Sequence, residues 1–442
     1  MNSQQVFFHQ TLGWVFEQME RQKPKQDYLE RALHEYEIAL ALNDETRDPD
    51  NEANLLLNLG NGHYLLNNPF AAYHYYKQRK RAEMAFVDPN REAVYHRRFG
   101  ESAFKAGVHE EALRQYQAAL ALFSEKKDLE RMAELNDRIA LVYQDLGDHG
   151  KAVEYFSNTL DLHQQTGNRV SLSRTLRNIA NNLFELNREA ERRDPQALNR
   201  ALSHYFQAIE NLERYGVVTR KKKEKRGLID IELQAGLGKD VSAAATGFDK
   251  IGEQKLIFHY IGKIYGDFGE YDKAIDYFQK KLALIPDNLD PQKNIPVLLE
   301  KALLLNQIGN YYFRSGDYAG ARPYFQDSYA LSQTLDNRHG MLVNAANIGR
   351  VVFIQCQSQP LASLRQDLLD TVALLRAAVE AAGPVKEVAQ PEYLVLLQNY
   401  RGIFYYYLGF HLSPPGQEKP SPALSPARLK AALGTLRANF DW

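Results

Sequence analysis

The sequence predicts an all-α fold in which antiparallel helix hairpins stack into a solenoid. Three observations support this prediction: a small residue recurs at a fixed interval, an alanine and an aromatic residue follow it at constant spacings, and a short turn separates the two parts. With 442 residues, of which 44% are apolar and 25% charged, the chain has the composition of a folded protein with a sizeable core.

The small residue marks the first helix of each predicted hairpin. Gly60, Gly100, Ala140 and Ala180 follow one another at intervals of 40 residues, and Gly309 and Gly349 are again 40 residues apart. A large apolar residue precedes each of them, namely Leu59, Phe99, Ile139, Ile179, Ile308 and Ile348. Since a small side chain lets a neighbouring helix approach closely, we expect these positions at the contact between the two helices of a hairpin.

The second helix carries an alanine twelve residues after the small residue and an aromatic residue four further on. The pairs are Ala72/Tyr76, Ala112/Tyr116, Ala152/Phe156, Ala274/Phe278 after Gly262, and Ala321/Phe325. In Ala32/Tyr36 and Ala201/Tyr205 the same second half is delayed by an insertion. Residues four apart lie one helical turn apart, so each pair is predicted to lie on one face.

Glycine turns separate the two halves, as in Leu146-Gly147-Asp148, Phe268-Gly269-Glu270 and Ser315-Gly316-Asp317. A single hairpin cannot bury its apolar face, so neighbouring hairpins must stack to form a continuous core. The sequence therefore predicts a solenoid of about eight to nine repeats.

This pattern of a large apolar residue, Gly, then Ala and Phe or Tyr resembles the tetratricopeptide repeat family over about residues 7–410. The 40-residue spacing is similar to the extended subclass found in kinesin light chains and Pins-type adaptors, as is the recurrence of Asn168-Arg169 in Asn337-Arg338. The resemblance implies a right-handed superhelix that binds a partner segment in its concave groove, lined by the first helix of each hairpin.

Interruptions of the period predict the domain organisation. We expect an N-terminal array of about five repeats at 1–215, an irregular basic insertion or degenerate repeat at 216–243, and a C-terminal array of about four repeats at 244–410. A proline-rich connector is predicted at 411–426 and a terminal capping helix at 427–442.

Composition excludes several classes of function. Lys and Arg total 54 against 55 Asp and Glu, so no chain-wide field would hold nucleic acid. The single cysteine, Cys356, excludes an internal disulfide and a thiolate zinc site. Because the chain has neither a long apolar run nor a signal-like start, we expect a cytoplasmic protein that does not insert in a membrane.

Motifs for catalysis are incomplete. The pairs His34-Glu35 and His109-Glu110 lack the second His of a zinc protease, and Gly236-Leu237-Gly238-Lys239 lacks the other elements of a phosphate loop. Cys356 lies in an apolar helix and is interpreted as a small hydrophobic residue. The chain is therefore predicted to be no enzyme and to need no cofactor or metal.

Candidate binding residues come from the first helices, at positions three before, one after and four after the small residue. They are Asn61, Tyr64, Arg97, Phe104, Arg177, Asn181, Phe184, His259, Lys263, Asn306, Asn310, Phe313 and Arg350. Amides can hold main-chain groups, cations can bind carboxylates, and aromatic rings supply apolar area, which together suit an extended or helical peptide. Arg177 and Asn181 resemble the basic-plus-Asn pair with which chaperone-binding members of the family clamp a terminal carboxylate, although Tyr260 stands where a second Asn would complete it.

The leading prediction is thus a non-catalytic scaffold or adaptor that binds a protein or peptide in its groove. One alternative is a regulatory segment that senses an effector and controls an associated protease, phosphatase or transcription factor. A second is nucleic-acid contact through the basic run Arg220 to Arg226, for which a solvated loop is the favoured interpretation. Self-association through the terminal helices is left open as a further interaction.

Overall fold

The structure, a computed structural model, describes residues 2–22, 26–46, 48–81, 86, 88–190, 194–215, 249–382 and 391–411. In these ranges every regular element is an α-helix, and the contacts divide the chain into two compact units, Met1–Glu253 and Gln254–Trp442. The predicted segments 216–243 and 427–442 lie outside the described residues, as do residues 412–426 of the predicted connector.

The first unit contains ten described helices. They are α1 Asn2–Gln22, α2 Gln26–Thr46, α3 Pro49–Leu65, α4 Pro69–Arg81, α5 Pro89–Lys105, α6 His109–Glu125, α7 Leu129–Asp145, α8 His149–Thr166, α9 Arg169–Glu189 and α10 Pro195–Tyr215. Successive helices pair as hairpins, from α1 with α2 to α9 with α10, and each hairpin packs against the next.

The second unit repeats this arrangement. Its helices are α11 Lys250–Asp267, whose first turn belongs to the first unit, α12 Tyr271–Ala283, α13 Ile295–Ser315, α14 Tyr318–Thr334, α15 Arg338–Ser358, α16 Arg365–Ala382 and α17 Pro391–His411. Helix α15 packs against both α16 and α17. The predicted all-α array of helix hairpins is confirmed in the described residues.

The recurring glycine lies directly beneath the recurring aromatic ring. A Cβ added to Gly60, Gly100, Gly262 or Gly309 would come within 2.7 Å of the ring of Tyr76, Tyr116, Phe278 or Phe325, respectively. All four rings are at most 1% exposed. The absence of a side chain thus lets the second helix place a large ring against the backbone of the first, which explains why the two positions recur together.

An additional pair of the same kind joins α1 and α2. A Cβ on Gly13 would lie 2.7 Å from the ring of Tyr36, which is 1% exposed. The two residues are 23 positions apart rather than 16, because both helices are longer than those of the next hairpin.

The turns within the hairpins use left-handed backbone. Gly107, Gly147, Gly269 and Gly316 have φ values of 76°, 75°, 76° and 85°. This conformation costs other residues roughly 1–2 kcal/mol, so glycine is favoured at the turn. The predicted glycine turns at 147, 269 and 316 are therefore confirmed.

The Asn-Arg motif marks the start of a helix. The side chain of Asn168 accepts a hydrogen bond from the Ser171 amide at 3.1 Å, and Asn337 accepts one from the Gly340 amide at 3.0 Å. Each Asn is the N-cap of the helix that follows, which satisfies one of its unpaired first-turn amides.

Candidate functional site

In the first unit the predicted residues Asn61 and Tyr64 face neighbouring helices. The Oδ1 atom of Asn61 accepts hydrogen bonds from the Tyr76 hydroxyl at 2.8 Å and from the Arg98 guanidinium at 2.9 Å. The Tyr64 hydroxyl donates to Oε2 of Glu101 at 2.9 Å. Both side chains thus tie α3 to α4 or α5.

The predicted cation Arg97 lies among two carboxylates of the same chain. Its guanidinium is 3.6 Å from Glu134 and 3.9 Å from Glu101, while Arg138 is 3.0 Å and 3.2 Å from the same two carboxylates. Burial opposes ionisation of Glu101, but the charges of Arg138 and Arg97 outweigh it and lower the pKa of its carboxyl. The charges of these two arginines and two glutamates on α5 and α7 therefore largely balance one another.

The remaining predicted residues of this unit also contact other residues of the chain. Arg177 has its Nε 2.7 Å from Oε2 of Glu253, and Asn181 accepts a hydrogen bond from the Tyr205 hydroxyl at 2.6 Å. Phe184 is 2% exposed and contributes to packing, whereas Phe104 is half-buried beside His109, with ring centroids 5.9 Å apart.

In the second unit the predicted residues His259 and Lys263 lie on α11. The His259 ring contacts Phe278 edge-on with centroids 5.8 Å apart, and burial, reinforced by the charges of Lys281 and Lys263, lowers the pKa of the imidazole to about 4. At neutral pH His259 is therefore uncharged. The Lys263 ammonium lies 5.7 Å from the centroid of the Tyr260 ring.

The predicted residues Asn306 and Asn310 of α13 form a chain of amides with Asn344 of α15, which was not predicted. Asn310 donates to the backbone oxygen of Asn306 at 3.0 Å and to its Oδ1 at 2.9 Å, and Asn306 donates to Oδ1 of Asn344 at 2.7 Å. Asn344 is only 2% exposed, so this chain fixes the orientation of Asn310 from inside the unit.

Asn310 lines a cavity of about 750 Å³ in the second unit. Its lining consists of Tyr271, Gln307, Asn310, Tyr311, Phe313, Arg314, Tyr318 and Arg350. Three predicted residues, Asn310, Phe313 and Arg350, are thereby brought together. Among the described residues that line the cavity none is acidic, while two carry guanidinium groups.

One face of α13 forms the floor of the cavity. Gln307, Asn310, Tyr311 and Arg314 are spaced three, four and seven residues from the first, so they share a single face of the helix. Tyr271 and Tyr318 begin α12 and α14, and Arg350 comes from α15. Four helices therefore supply the lining.

Aromatic rings position both guanidinium groups. The Arg350 guanidinium carbon lies 3.9 Å from the centroid of the Phe313 ring, and that of Arg314 lies 5.9 Å from the centroid of Tyr311. Tyr311 is itself stacked on Phe278, with centroids 5.2 Å apart. Such stacking restricts the orientation of a guanidinium group.

The electrostatics of the cavity favour a negatively charged guest. Burial, with a further contribution from the Arg314 charge, lowers the pKa of the Arg350 guanidinium, although neighbouring tyrosines partly oppose this. Arginine nevertheless stays protonated at neutral pH. A bound anion would therefore relieve the repulsion between the two cations.

The positions chosen from the sequence include Asn310 but omit Gln307, Tyr311, Arg314, Tyr271 and Tyr318. The reason is geometric: four residues after the small residue, the helix returns to the stripe that faces the second helix, so Phe313 is only 8% exposed. Positions two before and five after lie further round the helix. A sequence signal for the tyrosines exists, since each comes two residues after a turn glycine, Gly269 or Gly316.

At the equivalent place in the first unit, a histidine contacts a carboxylate. In the repeat register, His109 corresponds to Tyr271 and Asp145 corresponds to Arg314. His109 Nε2 lies 3.1 Å from Asp145 Oδ2. The same position of the hairpin thus carries an internally paired acid in one unit and a cation in the other.

The other features considered in the sequence analysis provide no further candidate site among the described residues. No cluster of His, Cys, Asp and Glu suited to a metal ion occurs among the described residues, and none of the described helices is long and apolar enough to span a bilayer. Cys356 is half-buried, and burial together with the Asp367 charge raises the pKa of its thiol to about 11. The basic run Arg220 to Arg226 and the Gly236 to Lys239 segment lie outside the described residues.

Comparison with known proteins agrees with the fold. Sequence models of the tetratricopeptide repeat match residues 131–214, 259–292 and 302–335. Together with the repeated hairpins, these matches make the chain a tetratricopeptide repeat protein. Its membership of the extended subclass stays a prediction.

Several solved structures are similar at low sequence identity. BtubC (BKLC) from P. vanneervenii has 17% identity and a TM-score of 0.42, with 61% of this chain and 92% of that chain covered. The apo quorum sensor NprR from B. thuringiensis has 13% identity and a TM-score of 0.42, with 86% and 99% covered. The apo form of RapI has 12% identity and a TM-score of 0.43, with 76% and 99% covered. A search among curated proteins finds no match.

Proposed function

We propose that this chain is a non-catalytic adaptor that binds an acidic, extended segment of a partner protein, and that the cavity of the second unit holds a carboxylate of that segment. The observation that carries the proposal is the cavity of about 750 Å³, whose described lining contains two guanidinium groups and no acid. Tetratricopeptide repeats are protein-interaction modules, and stacked repeats present extended surfaces of this kind.

Each kind of side chain in the cavity has a role in this binding mode. Arg314 and Arg350 supply donors for a carboxylate, which they can hold through paired N–H groups. Asn310 uses its Nδ2 to bond Asn306, so its Oδ1 can accept an N–H from the peptide backbone. The tyrosine rings supply apolar area beside the charged group.

The other predicted cations, Arg97 and Arg177, are expected to contribute less to the binding of a carboxylate. Arg97 lies beside Glu101 and Glu134, and Arg177 beside Glu253, so each would have to exchange an internal carboxylate for one from the ligand. We place the electrostatic anchor at Arg314 and Arg350, because no acidic residue is among the described residues that line their cavity. The predicted binding residues on α3, α5 and α9 of the first unit would contact the partner mainly through neutral groups.

A peptide array tests this proposal. Acidic sequences are printed beside matched sequences in which Asn and Gln replace Asp and Glu, and each sequence carries either a free or an amidated C-terminus. The wild-type chain is expected to prefer the acidic members. The Arg314→Gln/Arg350→Gln variant should lose at least about tenfold in affinity, because hydrogen bonds to a charged group contribute about 1.5–3 kcal/mol.

Arg338→Gln provides a matched control. Arg338 is exposed at the start of α15 and lies twelve residues from Arg350, or about 18 Å along the helix. Arg338→Gln therefore removes one positive charge away from the cavity and is compared with each single Arg→Gln variant as well as with the double variant. Equal preference for acidic and neutral peptides in the wild type, or equal losses in both variants, would contradict the proposal. Amidation that abolishes binding would show that the anion is a chain terminus and not a side chain.

A further inference from the structure

An apolar face on α1 has no counterpart among the other first helices of its unit. Phe7, Phe8 and Trp14 are 69%, 60% and 55% exposed, and Val15 and Met19 are 37% and 38% exposed. The helical spacing places all five on one side of α1. We call this the α1 face.

The opposite side of α1 accounts for its packing in the unit. Val6 and Glu20 are 3% and 5% exposed, and Gly13 is covered by Tyr36 of α2. The α1 face is therefore a second apolar side of the helix, distinct from the side that packs against α2.

The repeat register shows what kind of surface the α1 face is. When Gly13 is aligned with Gly60, Gly100 and Ala140, Phe8 corresponds to Leu55, Tyr95 and Leu135, which are 0%, 3% and 0% exposed. Those residues are buried where each first helix packs against the second helix of the preceding hairpin. Phe8 thus has the position of a residue in an interface between hairpins, whereas Trp14 corresponds to Asn61, Glu101 and Leu141, which are half-buried. Among the described helices, only α2 packs extensively on α1.

We propose that the α1 face binds the same face of a second copy of this chain, forming a two-fold symmetric dimer. Gln4, Thr11 and Gln18 on this side are uncharged, and Arg21, two turns after Trp14, lies 3.8 Å from Glu17 of the same helix. Two identical faces would therefore meet with little unbalanced charge. A charged partner would find no complementary charge there. A membrane surface fits poorly, because Arg21 is the only Lys or Arg on α1.

The exposed area fits a dimer of moderate affinity. At about 200 Å² for each aromatic side chain, the three rings expose roughly 350 Å² per copy, or about 700 Å² in the dimer before the rim is added. The rings alone give less than the roughly 1,000 Å² that a specific interface buries, so the rim must contribute as well. We therefore expect a weak dimer, with a dissociation constant on the order of 1–100 µM.

Analytical ultracentrifugation of the full chain between about 1 and 100 µM tests the dimer. The wild type should convert from monomer to dimer over this range. Trp14→Glu should raise the dissociation constant at least about tenfold, because it buries a charge in the interface. Phe70→Glu is the matched control, since Phe70 is 67% exposed on α4 of the same unit and outside the α1 face.

Fluorescence gives a second measurement that does not depend on a destabilising variant. The chain has two tryptophans, so Trp442→Phe leaves Trp14 as the only emitter. Its emission should shift to shorter wavelength as concentration rises and Trp14 becomes buried. Three results would overturn the proposal: a monomer at 100 µM, equal weakening by Phe70→Glu, or a blue-shifted Trp14 at every concentration in a monomeric chain, which would show that another segment of the same chain covers it.

Discussion

At the scale of single residues, the contact between glycine and an aromatic ring sets the distance between the two helices of a hairpin. Ala140 and Ala180 occupy the same register position as Gly60 and Gly100. Some hairpins therefore have room for a methyl group at this position. At Gly100 the Tyr116 ring occupies that space, since an added Cβ would lie 2.7 Å from its Cδ1.

Gly100→Ala is expected to destabilise the protein by about 1–2 kcal/mol, because a ring that is 1% exposed must move within a packed core. Gly150→Ala is the matched control in the same unit. Gly150 is an exposed residue in the first turn of α8, and an added Cβ would meet only a carboxylate oxygen at 3.8 Å. It should stabilise the protein by about 0.5–1 kcal/mol.

Urea unfolding followed by circular dichroism measures both changes. The two Gly→Ala variants must move the midpoint in opposite directions. Shifts of the same sign would show that helix propensity, and not the ring contact, governs the position occupied by Gly100.

At the scale of helices, the start of α15 depends on one side chain of the Asn-Arg motif. Asn337 caps the helix through its hydrogen bond to the Gly340 amide, whereas Arg338 is exposed in the first turn, where the positive end of the helix dipole does not favour a cation. The recurrence of both residues at 168–169 therefore has a structural explanation only for the asparagine.

Asn337→Ala should lower the stability of α15 by about 1 kcal/mol, as is typical for the loss of an N-cap. Arg338→Ala should leave it unchanged or raise it by a few tenths of a kcal/mol. Native-state hydrogen exchange of the first turns of α15 measures both. Faster exchange in the arginine variant would assign that residue a contact beyond the helix start.

At the scale of the whole molecule, each unit is held together by contacts between neighbouring hairpins. Tyr36, Tyr116 and Phe156 anchor three different hairpins of the first unit, and separate groups of buried residues surround the first two. In such an array a local defect is expected to affect its neighbours first.

Tyr36→Ala should cost about 3–5 kcal/mol by removing a buried ring, and the loss should be confined to the end of the array. Hydrogen exchange with mass spectrometry is expected to show lost protection in α1 and α2 but unchanged protection in α7 and α8. Tyr116→Ala, in the middle of the unit, should instead affect α5 to α7. Uniform loss across the first unit in the Tyr36 variant would mean that it unfolds as one cooperative body.

The all-α architecture, the hairpins and their turns could be predicted from the amino-acid sequence. These features depend on contacts inside one module, so they recur whenever the module is copied: Gly100 with Tyr116, Gly309 with Phe325, and a glycine at the turn. Three of the cavity residues, Asn310, Phe313 and Arg350, were also predicted as binding residues from their spacing to the recurring small residue.

Which polar side chains are paired within the chain could be seen only in the folded protein. Arg97 meets Glu134, and Asn306 meets Asn344, through contacts between different hairpins. The repeat pattern does not constrain such pairs, because it reflects the packing of apolar and small residues while the charges vary from one copy to the next. For the same reason the repeat pattern indicates no role for Arg314, whose register position is filled by Asp145 in another hairpin. The cavity is apparent only in the folded chain, where residues of α12, α14 and α15 lie beside Arg314.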